Sequence, residues 1–182
     1  EYPHTWSGGM LQRGVIAMAM APGPKLLLAD EPTTALDVTI QDQILSLLVD
    51  LQEKNAMGLI IVSHDLAIVS ETCDDIVVMY AGSIMESATA DDIFTSPHHP
   101  YTLGLFQCIP KMNGKKTTLI PIPGSPPNLS QLPDGCPFHP RCPYRSKECE
   151  LKTPELQQVA PGHFSACLFP ERIKHATPQN DD

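Results

Sequence analysis

The sequence of 182 residues has few basic residues and no long apolar segment. Lys and Arg number 12 against 21 Asp and Glu, which gives a formal net charge of −9. Affinity for a phosphate backbone requires clustered Lys and Arg, so this composition argues against a nucleic-acid-binding protein. No apolar run approaches the roughly 18 residues of a membrane-spanning helix, and no segment resembles a signal peptide. We therefore expect a protein that neither crosses a bilayer nor binds nucleic acid.

Proline, cysteine and charge are unevenly distributed along the chain. Residues 1–100 contain 6 of the 19 prolines, whereas residues 101–182 contain 13. The first hundred residues carry 3 basic and 14 acidic side chains, and five of the six cysteines follow them. Two regions of different composition are therefore expected to join near residues 96–100. Because the first residue is Glu1 rather than Met, we also expect the chain to begin partway through a domain.

Helical and strand-like stretches alternate over the first 95 residues. Residues 10–21 are strong helix formers without proline, and residues 38–55 carry apolar side chains at helical spacing. Short apolar runs at 25–29 and 59–62 are typical of strands buried on both faces. Further predicted elements are a hairpin at 76–87 and short helices at 65–72 and 89–94. The alternation predicts an α/β domain with a mostly parallel sheet and flanking helices.

Two adjacent carboxylates follow the first predicted strand. Asp30 and Glu31 stand where that strand ends, and ligands of parallel α/β sheets bind beyond the carboxyl ends of the strands. An Asp there can help to hold Mg²⁺ on nucleotide phosphates. A neighbouring Glu can orient or deprotonate a water that attacks a phosphate. An isolated acidic pair is more often two solvated charges, so this interpretation depends on the surrounding motifs.

Two further segments have the residue types of a phosphate site. His64 directly follows the second predicted strand and can hydrogen-bond a terminal phosphate. Ser7, Gly8 and Gly9 open the first helix, where backbone N–H groups and the helix dipole favour an anion. Each segment alone is more often a loop histidine or a capped helix without a ligand.

Together these segments resemble the second half of an ABC-type ATPase. WSGGMLQR at residues 6–13 resembles the family's signature motif, LLLADEP at 26–32 its Walker B segment, TALD at 34–37 its D-loop, and VSHD at 62–65 its switch histidine. Order and spacing agree, over about residues 1–90. The resemblance implies the C-terminal portion of a P-loop NTPase nucleotide-binding domain that uses ATP and Mg²⁺.

The resemblance also implies roles for individual residues. Glu31 would position the attacking water, Asp30 would support Mg²⁺, and His64 would contact the γ-phosphate. In the family, two ATPase domains meet head to tail, and the signature residues contact the nucleotide bound by the partner. That role falls to Ser7, Gly8 and Gly9, while Asp37 would tie the two sites together across the dimer.

The sequence departs from the family pattern at several points. Trp6 replaces the usual Leu of the signature motif, and Met10 stands where Gln is common. No G-x-x-x-x-G-K-[ST] phosphate loop occurs anywhere in the sequence, and the Gln that precedes the helical subdomain is also missing. Both belong upstream of Glu1. We therefore expect the chain alone to bind ATP weakly and to be inactive as an ATPase.

The region after residue 95 resembles the tail of ATPases from oligopeptide and dipeptide importers, which related importers of nickel share. The resemblance lies in SPHHPYTLGLF at 96–106 and IPGSPPNLSQLPDGCPFHPRCPYRSKEC at 122–149. We accordingly predict an ATPase portion at 1–95, an irregular Cys- and Pro-rich extension at 96–172, and a disordered tail at 173–182. Implied partners are a second ATPase subunit, two permease subunits and, indirectly, an extracytoplasmic solute-binding protein. The implied location is peripheral, at the cytoplasmic face of the inner membrane.

Four cysteines of the extension form a possible metal site. Zinc sites usually contain a C-x₂₋₄-C pair, which is missing here, and disulfides are disfavoured in a reducing cytosol. Members of the subfamily hold a [4Fe–4S] cluster in this tail, and zinc or unligated thiols remain alternatives. His139 could replace one ligand, whereas Cys73 and Cys108 are expected to be ordinary thiols. The four candidate ligands are Cys136, Cys142, Cys149 and Cys167.

Two functions from different classes remain open at this point. One is an ATPase subunit that energises import of peptides or of a related small solute such as nickel. The alternative is a non-catalytic regulatory or redox-sensing module that keeps the ATPase motifs as relics. An ABC ATPase of DNA repair or translation is disfavoured by the tail and by the acidic charge.

Overall fold

The computed structural model describes residues 2–108 and 121–173. The chain divides into two compact units, Glu1–Thr72 and Cys73–Asp182. The α/β class is confirmed, and no helix of the described residues is long and apolar enough to cross a membrane. The boundary near residue 95 stays a prediction. Of the predicted disordered tail, residues 174–182 lie outside the described residues.

The first unit contains one parallel strand pair and its crossover helix. The strands pair in parallel, with Leu28 opposite Ile60, because the long helix α2 carries the chain back to the same end of the sheet. One face of α2 packs on the strands and on α1, around Ile44 and Leu48. The elements are a 3₁₀ turn Pro3–Thr5, α1 Gly8–Met20, β1 Leu26–Asp30, α2 Val38–Asn55, β2 Gly58–Val62 and α3 Leu66–Thr72.

The second unit is built on an antiparallel sheet in the order β3-β4-β6-β5. The tight turn at Ala81 and Gly82 joins β3 to β4, and a connection this short permits only antiparallel pairing. The expectation of a mostly parallel sheet therefore holds for β1 and β2 and not for this unit. The elements are β3 Asp75–Tyr80, β4 Ser83–Thr89, α4 Ala90–Thr95, α5 Pro100–Gln107, a 3₁₀ turn His139–Arg141, α6 Lys147–Leu151, β5 Gln157–Ala160, β6 His163–Ser165 and a 3₁₀ turn Pro170–Arg172.

A fully buried carboxylate lies at the junction of β4, β6 and the segment that leads into α5. Glu86 on β4 has no exposed surface. Its carboxylate accepts hydrogen bonds from the backbone N–H groups of His98 and His99, and from the His163 imidazole of β6 at 2.7 Å. Burial raises the Glu86 pKa, and these hydrogen bonds act in the opposite direction. Three separate segments of the second unit therefore meet on one side chain.

Candidate functional site

The carboxyl ends of β1 and β2 form one edge of the parallel pair. Asp30, the last residue of β1, is opposite Val62, the last residue of β2. The backbone N–H of Glu31 donates to the Val62 carbonyl at 2.9 Å and extends the pairing by one residue. Asp30 and Glu31 are exposed at this edge. The strands therefore place the two acidic residues where the sequence predicts a ligand to bind.

The Glu31 carboxylate is held by side chains on both of its oxygens. His64 Nδ1 lies 3.0 Å from Oε1, and the Thr34 hydroxyl donates to Oε2 at 2.7 Å. The Thr34 hydrogen bond and then the His64 hydrogen bond lower the Glu31 pKa, so these contacts favour the ionised carboxylate. The structure thus brings together Glu31 and His64, which the sequence predicts to act on one phosphate.

Asp37 lies at the start of α2, at the end of the loop that follows Glu31. Its carboxylate accepts a hydrogen bond from the Ile40 backbone N–H at 3.0 Å and caps the helix. A Glu or Asp in this position also suits the positive end of the helix dipole. Asp37 therefore stabilises the start of α2 in its own chain. Its contact across a dimer stays a prediction.

The signature segment caps and packs α1. Ser7 is the N-cap, and its hydroxyl accepts from the Met10 backbone N–H at 3.3 Å. Gly9 is buried against α2, where a Cβ atom would lie 2.7 Å from the Ile40 side chain. Gly8 is exposed, and its hypothetical Cβ would lie 3.2 Å from Leu36. Close packing against Ile40 is enough to require glycine at position 9, without any ligand. Gly8, in contrast, has an exposed backbone.

The four candidate metal ligands line one cavity of the second unit. The backbone N–H of Cys136 donates to the Cys149 carbonyl at 2.8 Å, which joins the two ends of the loop between them. Gly135 has a φ of +71°, and a Cβ there would lie 2.4 Å from that same carbonyl. Phe138, His139 and other side chains complete the cavity wall. The cysteines that line it are Cys136, Cys142, Cys149 and Cys167.

The structure does not arrange these thiols around a single ion. Within residues 2–108 and 121–173, no group of three or more His, Cys, Asp or Glu side chains is placed to hold a metal ion. Burial raises the pKa of the Cys136 thiol, that of Cys142 to about 11 and that of Cys167 to about 12. The thiols line one cavity, but no metal group is formed among the described residues, so the cluster and its zinc alternative stay predictions.

Two features of the described structure lie outside the sequence prediction, one at the candidate site of the first unit and one in the second unit. Thr34 provides the shortest hydrogen bond to the Glu31 carboxylate, although the motif TALD points to Asp37. Glu86 was not predicted as a buried residue, because a Glu within a strand is usually solvated. The only sequence signal was the pair His98 and His99 next to Pro100, which marks the segment that its carboxylate binds.

Two family models match separate parts of the chain. The family model for ABC transporters matches residues 1–34. The model for the oligopeptide/dipeptide transporter C-terminal region matches residues 85–149. The first match contains Asp30 and Glu31, and the second contains Glu86 and three of the four cysteines of the cavity.

Two curated relatives are from Escherichia coli (strain K12). The oligopeptide transport ATP-binding protein OppD is 50% identical over 169 residues, or 93% of this chain and 50% of the relative. The dipeptide transport ATP-binding protein DppD is also 50% identical over 169 residues, or 93% of this chain and 52% of the relative. The chain thus spans about half the length of the curated relatives it matches.

A solved structure of an inward-facing metal-chelate type ABC transporter is similar to the chain. Its TM-score is 0.52 at 31% identity, with 59% of this chain and 41% of that chain covered. The likeness agrees with the α/β class of the chain.

Proposed function

The chain belongs to the family of ABC transporter ATP-binding proteins, on the oligopeptide and dipeptide branch, and from this premise we propose that it hydrolyses ATP to energise solute import. The whole protein would be the ATP-binding subunit of an importer of peptides or of a related small solute such as nickel. One observation carries the proposal: Glu31 stands at the end of β1 with its carboxylate bound by His64 from the end of β2. The redox-sensing alternative has no comparable support.

The roles of the site residues follow from their positions. Glu31 would orient the water that attacks the γ-phosphate and accept its proton, since its carboxylate lies at the end of β1 and is held by hydrogen bonds from Thr34 and His64. His64 is exposed beside Glu31 and would contact the same phosphate. Asp30 has an exposed carboxylate, the kind of oxygen ligand that Mg²⁺ prefers. Bound Mg²⁺ would neutralise charge on the phosphates.

A second ATPase subunit would complete the site. We propose a head-to-tail dimer in which the signature residues Ser7, Gly8 and Gly9 contact the nucleotide held by the partner. The exposed backbone of Gly8 and its position in the first turn of α1 suit a phosphate. Asp37 would connect the two sites across the dimer. Two permease subunits and an extracytoplasmic solute-binding protein would complete the transporter, with this subunit peripheral at the cytoplasmic face of the inner membrane.

The direct test is solute-dependent hydrolysis by the reconstituted transporter. The full-length protein is assembled with its permeases in vesicles, and ATPase activity is measured with the loaded solute-binding protein. We expect peptides of two to a few residues to stimulate hydrolysis. Stimulation by nickel but not by peptides would identify nickel as the solute class. An ATPase rate that no solute stimulates would contradict the importer function.

For the four cysteines, we propose an iron–sulfur cluster. Four thiolates are the ligand set of a [4Fe–4S] centre, in which each cysteine binds a different iron. A single zinc ion with the four sulfurs about 2.3 Å away is the alternative. Cysteine is the right donor, and the four line one cavity. Bound there, the cluster would hold the extension together, because the described residues 121–146 contain no regular element apart from the 3₁₀ turn His139–Arg141.

We expect protein purified without oxygen to contain about four iron and four sulfide per chain and no stoichiometric zinc. Cys142→Ser should lower both contents, because it removes one of the four ligands. Cys108→Ser is the matched control, since that cysteine does not line the cavity, and it should leave them unchanged. One zinc per chain, or no metal in either protein, would contradict the cluster.

A further inference from the structure

The loop between β1 and α2 has an unusual backbone. Glu31 has a φ of +44° and Ala35 a φ of +65°, a left-handed conformation that residues other than glycine rarely adopt. Such strained residues persist only where the surroundings hold them, and they concentrate at functional sites. The backbone N–H of Thr34 donates to the Glu31 carbonyl at 3.2 Å, which closes the turn. The turn brings the Thr34 side chain back onto the Glu31 carboxylate.

The loop is also fixed to α2. The Leu36 backbone N–H and the Gln41 side chain both donate to the Thr33 carbonyl, at 3.2 and 3.1 Å. Thr33 itself is buried, and Asp37 caps the helix. Thr34 therefore projects its hydroxyl from an anchored segment rather than from a free loop.

His64 and Thr34 both donate a hydrogen bond to Glu31, but only His64 is also proposed to bind the nucleotide. His64 is proposed to contact the γ-phosphate, and its side chain is 78% exposed. Thr34 contacts Oε2 at 2.7 Å, and it has no role in binding the nucleotide in the proposed function. A carboxylate can accept about four hydrogen bonds, so one from Thr34 and one from His64 leave room for a water.

We propose that Thr34 is a positioning residue that holds the Glu31 carboxylate in place while His64 engages the phosphate. The inference rests on the proposed ATPase function and adds a residue to its site. Without the hydroxyl, Glu31 keeps only its histidine contact, and its exposed side chain samples other rotamers when that contact is lost. The attacking water is then oriented in fewer of the bound complexes, so turnover falls while ATP binding is unchanged.

The test compares Thr34→Val and Thr34→Ser in the full-length protein within the assembled transporter. Val keeps the branched shape and removes the hydroxyl, whereas Ser keeps the hydroxyl. We expect Thr34→Val to lower kcat about tenfold, as for loss of a hydrogen bond to a charged group, with KM for ATP changed less than about twofold. Thr34→Ser should retain most of the activity. Thr39→Val, at an exposed position in the first turn of α2, is the matched control.

A second comparison asks whether Thr34 acts through Glu31. In a Glu31→Gln background, Thr34→Val should not lower the residual rate further, because the group it positions is already lost. An equal tenfold loss in both backgrounds, a wild-type kcat for Thr34→Val, or a Ser variant as slow as the Val variant would each overturn the inference. If Glu31→Gln itself hydrolyses ATP normally, the proposed function fails instead.

Discussion

Replacing Glu31 with Gln is expected to lower kcat of the assembled transporter by about two to four orders of magnitude, the usual contribution of a general base. The amide has nearly the same shape but cannot accept a proton from the attacking water. KM for ATP should change little, because Glu31 acts on the water and not on the bound phosphates. Steady-state hydrolysis over a range of ATP concentrations measures both quantities.

The control for this variant is Glu53→Gln. Glu53 is an exposed residue near the end of α2, in the same unit as Glu31, and has no part in the proposed site. Its variant should hydrolyse ATP at the rate of the unaltered protein. A similar loss in both variants would show that carboxylate removal weakens the first unit in general, and would remove the support for Glu31 as the base.

The second large effect is expected at Glu86. Glu86→Ala leaves two buried backbone N–H groups and the His163 imidazole without their acceptor. Each unsatisfied buried donor costs about 1–3 kcal/mol, and all three of these donors lose their acceptor. We expect the second unit to lose about 3–5 kcal/mol of local stability. The surface control Glu155→Ala should lose almost none, because that side chain is exposed.

Hydrogen exchange can locate this loss within the second unit. The backbone N–H of Ala166 donates to the Met85 carbonyl at 2.8 Å and connects the end of β6 to β4. In Glu86→Ala this amide should exchange at least about a hundredfold faster, since each 1.4 kcal/mol changes an opening equilibrium tenfold. Unchanged protection of β4 and β6 would contradict the view that Glu86 fastens these segments.

The first unit was largely predictable because its elements have clear local patterns. Residues 38–55 show helical spacing of apolar side chains, and the structure forms α2 over that same range, from Val38 to Asn55. The runs at 25–29 and 59–62 agree within one residue with β1 and β2, but the prediction that both strand faces are buried is wrong, since Leu28 and Ile60 are exposed. The position of Glu31 at a strand end follows from these patterns. Its partner Thr34 does not, because that contact depends on a left-handed backbone at Glu31 itself.

The second unit was less predictable because its structure depends on distant contacts. β5 and β6 are only four and three residues long, and they carry Gln157, Gln158 and His163 instead of alternating apolar residues. His163 is buried because Glu86, 77 residues away, accepts its hydrogen bond. The pattern of four cysteines indicated a shared site, and they do line one cavity. Their spacing in sequence could not predict how far apart the sulfurs lie.

We propose that Glu31 is the base that activates the attacking water for cleavage of ATP bound at the ends of β1 and β2. The most direct measurement is the identity of the nucleotide retained by the assembled Glu31→Gln transporter after incubation with Mg²⁺ and ATP. We expect the variant to retain uncleaved ATP, while the unaltered protein yields ADP and phosphate. ADP and phosphate formed by the variant at the rate of the unaltered protein would contradict it.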